Sequence, residues 1–308
     1  MQKVLILLST YNGEKYLEEQ LASFLNQRGV IKKVLVRDDG SSDNTIRILE
    51  KYRVDCPDVV VDIIEGKNMG STGSFCELMR EAFSKYSGQF EYYAFADQDD
   101  FWLEDKLCKA VEKLEPLDKT KPNMYCSDKI IVDSNLVSIP GIRPSKVELT
   151  KGRALARNIA TGCTMVFNKR ALELFVMRKT EFIKIHDHAI FLICSFLGNV
   201  IYDENAYIKY RQHGNNQLGG MDTFRARMHD RFKKKGKLNE HLLERTATAF
   251  RNTYQDLLSD ADKSLINVMS EYRNSFSNRL RLLFSKEIAK ESFEDNLFFK
   301  MKVLFGGV

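Results

Sequence analysis

The first hundred residues alternate short apolar runs with segments in which apolar residues recur every three or four positions. The short runs have the length of buried strands and lie at residues 4–8, 33–36, 59–64 and 92–96. The intervening segments have the spacing of amphipathic helices and lie at residues 14–26, 44–52 and 74–85. Because strands and helices that alternate in this way form right-handed crossover units, we predict a mostly parallel sheet covered by helices.

The pattern changes twice further along the chain. Between residues 120 and 215 we predict one helix at residues 187–196 and strands at residues 125–132, 160–167, 201–202 and 207–210. After Gly220 the strand patterns end, and helices are predicted at residues 224–235, 240–259, 263–284 and 286–303. The sequence therefore predicts an α/β domain over residues 1–220 and a helical region over residues 221–308.

The distribution of charge supports the same boundary. The chain of 308 residues is 44% hydrophobic and 29% charged, which is typical of a globular protein and excludes intrinsic disorder. The net charge of +5 lies entirely after residue 220, where 17 Lys and Arg stand against 12 Asp and Glu. Such a region suits anionic lipid or an acidic partner better than nucleic acid, because it lacks a nucleic-acid-binding motif and interleaved surface aromatic residues.

One segment of this region has the pattern of a basic amphipathic helix. Phe224, Met228 and Phe232 recur on one predicted helix face, and Lys233, Lys234 and Lys235 follow them. Two interpretations stay open at this point. The segment binds weakly and reversibly to an anionic membrane, or it packs on the α/β domain and leaves its basic residues in solvent.

Cysteine usage and apolar runs indicate the compartment. The six cysteines form no CxxC pair, so neither a disulfide framework nor a zinc site is expected, and a reducing cytosol is predicted. The apolar run at the start of the chain is too short for a signal peptide. The longest apolar run, residues 189–201, would span about 20 Å as a helix, against a hydrocarbon core of about 30 Å. We therefore predict a cytoplasmic protein that works at the inner face of the plasma membrane.

Polar clusters follow three of the predicted strands. They occupy residues 9–13, 37–40 and 97–100. Open parallel sheets bind ligands at the carboxyl ends of their strands, so these clusters are candidates for one site. The carboxylates in the last cluster repel one another, and Mg²⁺ or Mn²⁺ shared with substrate phosphates would remove that repulsion. The chain has neither GxGxxG nor the P-loop pattern, which argues against those two nucleotide sites.

Taken in order, several motifs resemble those of family 2 glycosyltransferases with the GT-A fold. They are Ser-Thr-Tyr-Asn-Gly at residues 9–13, Asp-Asp-Gly-Ser-Ser-Asp at 38–43, Asn-Met-Gly at 68–70 and Asp-Gln-Asp-Asp at 97–100. His186-Asp187 and the segment Tyr-Arg-Gln-His-Gly-Asn-Asn at 210–216 resemble the bacterial rhamnosyltransferase branch. That branch builds cell-surface polysaccharides from dTDP-L-rhamnose. The resemblance covers about residues 1–220.

The resemblance implies roles for individual residues. It implies that Tyr11 stacks on the base of the donor, that Thr10 and Asp39 surround base and ribose, and that Asp187 is the general base. Asp97 and Asp99 match the acidic positions of the DxD motif, with Asp99 as direct metal ligand, and His213 matches a residue that meets the metal or the diphosphate. Arg211 and His213 are two apart on a predicted strand and share a face, so both are expected to reach the diphosphate.

Two departures from the family pattern concern the acceptor side. Position 186 holds His where many members have Glu, and residues 213–216 replace a common QxxRW motif. The second departure suggests a non-processive enzyme. Asp187 also has an alternative interpretation, as a helix N-cap. His186 and His188 are two apart on one helix and are not expected to share a metal.

The predicted function is thus an inverting, metal-dependent transfer of a sugar, L-rhamnose from dTDP-L-rhamnose, onto a growing lipid-linked cell-surface polysaccharide. A glycosyltransferase with a UDP-sugar donor is the first alternative. A nucleotidyltransferase is less expected, because its first loop would usually contain Gly with Arg or Lys, and residues 9–13 contain neither cation. A catalytically inactive nucleotide-sugar binder is the remaining alternative.

Overall fold

The computed structural model describes residues 1–139, 147–212, 241–290 and 293–307. His213, the basic segment with Lys233, Lys234 and Lys235, and the predicted boundary near residue 220 lie outside these ranges. The predictions made for them stay predictions.

The first hundred residues form the predicted alternation of strands and helices. The elements are β1 (Lys3–Thr10), α1 (Leu17–Leu25), β2 (Ile31–Asp38), α2 (Thr45–Asp55), β3 (Val60–Glu65), α3 (Gly70–Tyr86) and β4 (Tyr92–Ala96). β1 is buried on both faces, with Leu5 and Leu7 in one hydrophobic cluster and Val4, Ile6 and Leu8 in the other. This burial explains why its sequence is a continuous apolar run.

The next hundred residues complete the sheet. They form β5 (Phe101–Trp102), α4 (Lys106–Leu114), β6 (Asn123–Val132), α5 (Lys151–Ala156), β7 (Val166–Asn168), α6 (Lys169–Met177), α7 (His186–Leu197) and β8 (Asn199–Arg211). The two strands predicted at residues 201–202 and 207–210 are one continuous strand, β8. The strand predicted at 160–167 is wrong for most of its length, because a short 3₁₀ turn, Gly162–Thr164, occupies its centre.

The described strands form one sheet in the order β3-β2-β1-β4-β7-β6-β8-β5. β1 pairs in parallel with β2 on one side and with β4 on the other, and β6 pairs in parallel with β8. β7 runs antiparallel to β4 and β6, and β5 runs antiparallel to β8. The predicted fold class, an α/β fold with a mostly parallel sheet, is confirmed. From β1 the chain continues to β2 on one side, and it later returns to β4 on the other side of β1. The carboxyl ends of β1 and β4 therefore border a crevice.

Within the described ranges, four helices follow β8. They are α8 (Leu242–Tyr254), α9 (Asp260–Ser270), α10 (Phe276–Phe284) and α11 (Phe293–Leu304). The single helix predicted at residues 263–284 is two helices, since the chain leaves the helical conformation after Ser270 and a new helix is capped by Ser275. No helix within the described ranges is both long and apolar enough to cross a membrane.

These helices pack on the α/β domain. The ring of Phe250 lies 5.3 Å from that of Phe196 in α7, and Tyr254 Oη donates a hydrogen bond to the carbonyl of Leu174 at 3.2 Å. Lys151 pairs with Asp262 at 2.7 Å. Side chains from β1, α7 and the C-terminal helices belong to one hydrophobic cluster.

Candidate active site

The loop after β1 is fixed by side chains from its neighbours. Thr10 is buried, and its hydroxyl donates a hydrogen bond to Asp38 Oδ1 at 2.8 Å. The side-chain amide of Gln98 bonds both the N–H and the carbonyl of Tyr11, at 2.8 and 2.9 Å. A Cβ at Gly13 would lie 2.3 Å from Gln98 Oε1, so this contact requires glycine. The backbone of Tyr11 is held by these contacts, while its ring stays half exposed. An exposed ring of this kind suits stacking on a base.

Asp39 is buried and already engaged with the protein. Its carboxylate pairs with Arg37 at 2.5 Å and accepts hydrogen bonds from the N–H groups of Met69 and Gly70, at 2.8 and 2.9 Å. These contacts fix the start of α3 beside the crevice. A contact of Asp39 with base or ribose stays a prediction, and a sugar hydroxyl would have to share this carboxylate with three donors.

The acidic loop after β4 holds two carboxylates close to a thiol. Asp97, Asp100 and Cys163 place potential ligand atoms within 4.8 Å of one another. Asp100 is buried, and its Oδ2 has no hydrogen-bond partner among the described residues. Burial and then the neighbouring charge of Asp99 raise the pKa of Asp100 to about 7. Burial, and then the charges of Asp100 and Asp99, raise the pKa of Asp97 well above its usual value.

This arrangement fits a divalent cation. A cation between Asp97 and Asp100 would compensate for their burial and for the neighbouring negative charges, the two causes that raise their pKa values. Hard carboxylate oxygens suit Mg²⁺ or Mn²⁺. Burial keeps the pKa of the Cys163 thiol well above its usual value, so it stays protonated and is a poor ligand for either ion. Asp99 is not part of the close group, and its role as a direct ligand stays a prediction. Sequence reasoning missed Asp100, although it ends the same acidic run.

Residues 161–163 connect the acidic loop to the start of α7. Cys163 lies beside Asp97 and Asp100. The N–H of Gly162 donates to Asp187 Oδ2 at 3.0 Å, and Thr161 Oγ1 accepts a hydrogen bond from Lys129 Nζ at 2.8 Å. The turn that replaces the predicted strand therefore brings these groups together.

Asp187 lies in the first turn of α7 and is buried. Its Oδ1 accepts a hydrogen bond from the N–H of His188 at 2.6 Å, as a residue near a helix start can do. Burial raises its pKa to about 6, so the carboxylate is ionised at neutral pH but can take up a proton. Its charge also contributes to the raised pKa of Asp97, which indicates that the two carboxylates belong to one electrostatic site.

The histidines beside Asp187 have separate surroundings. His186 stacks on Phe75 with ring centres 4.0 Å apart, and burial lowers its pKa to about 3. His188 Nε2 lies 2.8 Å from the carbonyl of Ala154, and burial lowers its pKa to about 4. Both are therefore neutral at pH 7, and each packs against a different part of the domain.

Arg211 ends β8 and is engaged with the protein. It is buried, its Nε donates to the carbonyl of Asp99 at 2.8 Å, and its guanidinium also pairs with Glu19 at 2.5 Å and bonds the carbonyl of Ser134. Its backbone N–H donates to Asp100 Oδ1 at 3.2 Å. These contacts tie the end of β8 to the acidic loop. The diphosphate contact stays a prediction, and the observed geometry favours a positioning role.

We expect Arg211→Met to lower the free energy of unfolding by about 3 kcal/mol, because two carbonyls lose a charged donor and the Glu19 pair is broken. Urea denaturation measures the change. Arg28→Met is the matched control, since Arg28 pairs with Glu104 on the surface and should change stability by less than about 1 kcal/mol. Equal effects of the two variants would contradict the buried role of Arg211.

Lys106 is a further buried basic residue, and sequence reasoning did not single it out. Its Nζ lies 3.6 Å from the centre of the Trp102 ring and has no hydrogen-bond partner among the residues described. Burial lowers its pKa to about 7. The charge of Asp100 acts in the opposite direction, so Lys106 lies near the acidic loop. Trp102 itself is a core residue that packs on Phe24 at 4.6 Å. Nothing in the sequence distinguishes Lys106 from an ordinary surface lysine.

Comparison with known proteins shows the family of this chain. Residues 5–175, more than half of the chain, match the sequence model of Glycosyl transferase family 2. The dTDP-rhamnosyl transferase RfbG of Shigella flexneri is 27% identical over 261 residues, which are 81% of this chain and 85% of that protein.

Two further proteins are similar to shares of the chain that differ in length. The UDP-Glc:alpha-D-GlcNAc-diphosphoundecaprenol beta-1,3-glucosyltransferase WfgD of Escherichia coli is 30% identical over 172 residues, 55% of this chain and 61% of that protein. The crystal structure of S. aureus TarS 1-349 in complex with UDP-GlcNAc superposes with a TM-score of 0.57 at 16% identity, over 93% of this chain and 77% of that one. The family match, supported by a GT-A-like fold, identifies the chain as a glycosyltransferase that belongs to Glycosyl transferase family 2.

Proposed function

We propose that this glycosyltransferase is inverting and metal-dependent, and that it moves L-rhamnose from dTDP-L-rhamnose onto a growing, lipid-linked cell-surface polysaccharide. The observation that supports it most directly is the meeting of Asp97, Asp100 and Asp187 around the turn at residues 161–163. A cation-binding pair and a carboxylate of raised pKa are the groups that donor activation and acceptor deprotonation require.

The donor would lie in the crevice at the ends of β1 and β4. Tyr11 stacks on the base, while Thr10 and Asp39 lie beneath base and ribose. The similarity to a dTDP-rhamnosyl transferase over 81% of the chain supports dTDP-L-rhamnose. A UDP-sugar is the alternative donor, because WfgD is named for UDP-Glc and TarS was crystallised with UDP-GlcNAc.

The acidic loop would hold the cation against the diphosphate. Bound there, Mg²⁺ or Mn²⁺ supplies positive charge that stabilises the nucleoside diphosphate as it leaves. Asp97 and Asp100 would hold the ion, and Arg211 keeps the loop in place through the carbonyl of Asp99. Asp99, and His213 outside the described ranges, are proposed as further contacts to the ion.

Asp187 would remove the proton from the acceptor hydroxyl as the new bond to the anomeric carbon forms. The N–H groups of Gly162 and His188 fix its two oxygens in place. In an inverting reaction the hydroxyl attacks from the side opposite the leaving diphosphate. The base must therefore lie apart from the ion. Asp187 and the acidic loop contact different residues of the turn, Gly162 and Cys163, which is compatible with this requirement.

The acceptor is proposed to be a lipid-linked saccharide. The name of WfgD describes a diphosphoundecaprenol-linked acceptor, and that relative matches 55% of this chain. Such an acceptor would place the enzyme at the cytoplasmic face of the plasma membrane.

A panel of nucleotide sugars tests the donor. In the presence of Mn²⁺, dTDP-L-rhamnose should raise the melting temperature more than UDP-glucose, UDP-GlcNAc or GDP-mannose. A ligand at 100 times its Kd stabilises the folded protein by about 2.7 kcal/mol. Donor hydrolysis should follow the same order, and no pyrophosphate should be released from a nucleoside triphosphate.

Tyr11→Ala is the control for the position of the base. Loss of one stacking contact costs about 1–3 kcal/mol. The rise in melting temperature should therefore be smaller with every donor, and the order of the donors should not change. A larger shift with a UDP-sugar would replace the rhamnose proposal, and binding without any hydrolysis or transfer would favour the inactive binder.

A further inference from the structure

The last two helices expose apolar residues along one face each. In α10, Phe276, Leu280 and Phe284 follow one another at intervals of four residues and are all exposed. Leu282, on the opposite side, is completely buried. An exposed apolar stripe at this spacing is typical of a helix that packs against another apolar surface.

α11 repeats the arrangement. Phe293, Leu297 and Met301 are exposed at intervals of four residues, and Leu304 and Phe305 extend the same side. Phe299 and Val303 form the buried side. The two helices are held together by Lys300, whose Nζ donates to carbonyls at the end of and just after α10, those of Ser285 and Ile288 at 3.0 and 3.3 Å among them.

These exposed residues form what we call the C-terminal apolar surface. It comprises Phe276, Leu280, Phe284, Phe293, Leu297, Met301, Leu304 and Phe305. They are between 39% and 84% exposed, and they are eight of the 17 large hydrophobic residues that are exposed in the described ranges. Single exposed hydrophobic residues are normal, but a concentration of this kind marks a surface that meets a partner.

Charge indicates which partner. Residues 276–307 contain six Lys and Arg against four Asp and Glu, and the whole net charge of +5 lies after residue 220. Arg281, Lys286 and Lys302 are exposed beside the apolar residues. Short helices with an apolar face and neighbouring cations lie in the interface of anionic membranes, whereas a spanning segment would have to be longer.

We infer that the C-terminal apolar surface docks on an anionic lipid membrane, with α10 and α11 lying in the interface. The phenylalanine, leucine and methionine side chains enter the boundary between headgroups and acyl chains. The cations beside them meet the lipid phosphates. This surface is distinct from the basic segment around Lys233, and it does not depend on which sugar the enzyme transfers.

Sedimentation of the full chain with vesicles tests the inference. Wild-type protein should sediment with vesicles containing phosphatidylglycerol, and less with pure phosphatidylcholine or at 0.5 M salt (a chosen test condition), because salt screens the charges. The triple variant Phe284→Ser, Phe293→Ser, Phe305→Ser should reduce the partition coefficient at least roughly tenfold, since three large apolar side chains no longer enter the interface.

A matched variant separates this surface from general hydrophobicity. Val54, Val137 and Met177 are between 61% and 74% exposed and lie elsewhere on the protein. Their replacement by serine should leave vesicle binding unchanged. Hydrolysis of the donor in solution should be the same in both triple variants, which shows that each is folded.

Two outcomes would overturn the inference. One is equal vesicle binding by wild type and the first triple variant. The other is a wild-type dimer in analytical ultracentrifugation that the first triple variant converts to a monomer while vesicle binding is unaffected; the surface would then join two copies of the chain.

Discussion

Asp187→Asn is expected to slow sugar transfer by roughly 10²-fold or more while donor binding stays close to wild type, because the variant keeps the shape of the side chain but cannot accept a proton. Asp187 contacts Gly162 and His188, whereas the backbone of Tyr11 is held by Gln98. Steady-state transfer rates and the thermal shift with donor measure the two effects separately.

The pH dependence offers a second measurement of the same role. Burial raises the pKa of Asp187 to about 6, and only the ionised carboxylate can act as base. The transfer rate should therefore be constant above this pH and fall as the pH is lowered through about 6, approaching a tenfold loss for each further unit. This limb should be missing from the profile of Asp187→Asn.

Asp203→Asn is the control. Asp203 is also nearly buried, but its carboxylate accepts a hydrogen bond from Tyr125 at 3.1 Å within the sheet. Its replacement should cost some stability, which denaturation would show, but should not reduce transfer a hundredfold. Transfer at nearly the wild-type rate by Asp187→Asn would mean that Asp187 only stabilises the start of α7.

Removal of the metal is expected to stop donor turnover. Excess EDTA should abolish it, and added Mg²⁺ or Mn²⁺ should restore it, because the leaving diphosphate loses several kcal/mol of charge stabilisation without a cation. Asp99→Ala and Asp97→Ala should each lower turnover by roughly 10²-fold or more. Turnover assays with graded metal concentrations would detect weaker metal binding in the variants.

Asp105→Ala is the matched control for the acidic loop. Asp105 is exposed, six residues after Asp99, and lies outside the close group of carboxylates. Its replacement should leave metal dependence unchanged. Full turnover by the wild type in excess EDTA would contradict a metal role altogether. If Asp99→Ala retained turnover while Asp97→Ala lost it, the ion would be assigned to Asp97 and Asp100.

The fold around β1 was predictable because its residues are buried on both faces, and such strands are continuous apolar runs. The turn at Gly162 was not predictable from the sequence. Its apolar neighbours resemble a strand, and the contact that bends the chain, from Gly162 to Asp187, joins residues 25 positions apart. Periodicity describes local conformation and carries no information on such a contact.

The acidic loop was also predictable only in part. Its position after a buried strand predicted clustered carboxylates, and the structure has them at that edge of the sheet. Which carboxylates approach one another depends on backbone geometry within four residues, and the close group with Cys163 contains Asp97 and Asp100 but not Asp99. The partners of Arg211 come from α1, the acidic loop and residue 134, so no local pattern could predict its burial.

The single hydrophobic cluster shared by β1, α7 and the C-terminal helices has a consequence for modular exchange. A hybrid that takes residues 241–307 from a relative would place foreign side chains against Leu174 and Phe196, and these contacts would have to fit to within a methyl group. The C-terminal helices therefore have to be transplanted together with the parts of α6 and α7 that they contact. Natural variants of this region should accordingly carry paired changes, in the C-terminal helices and in the residues that these helices contact.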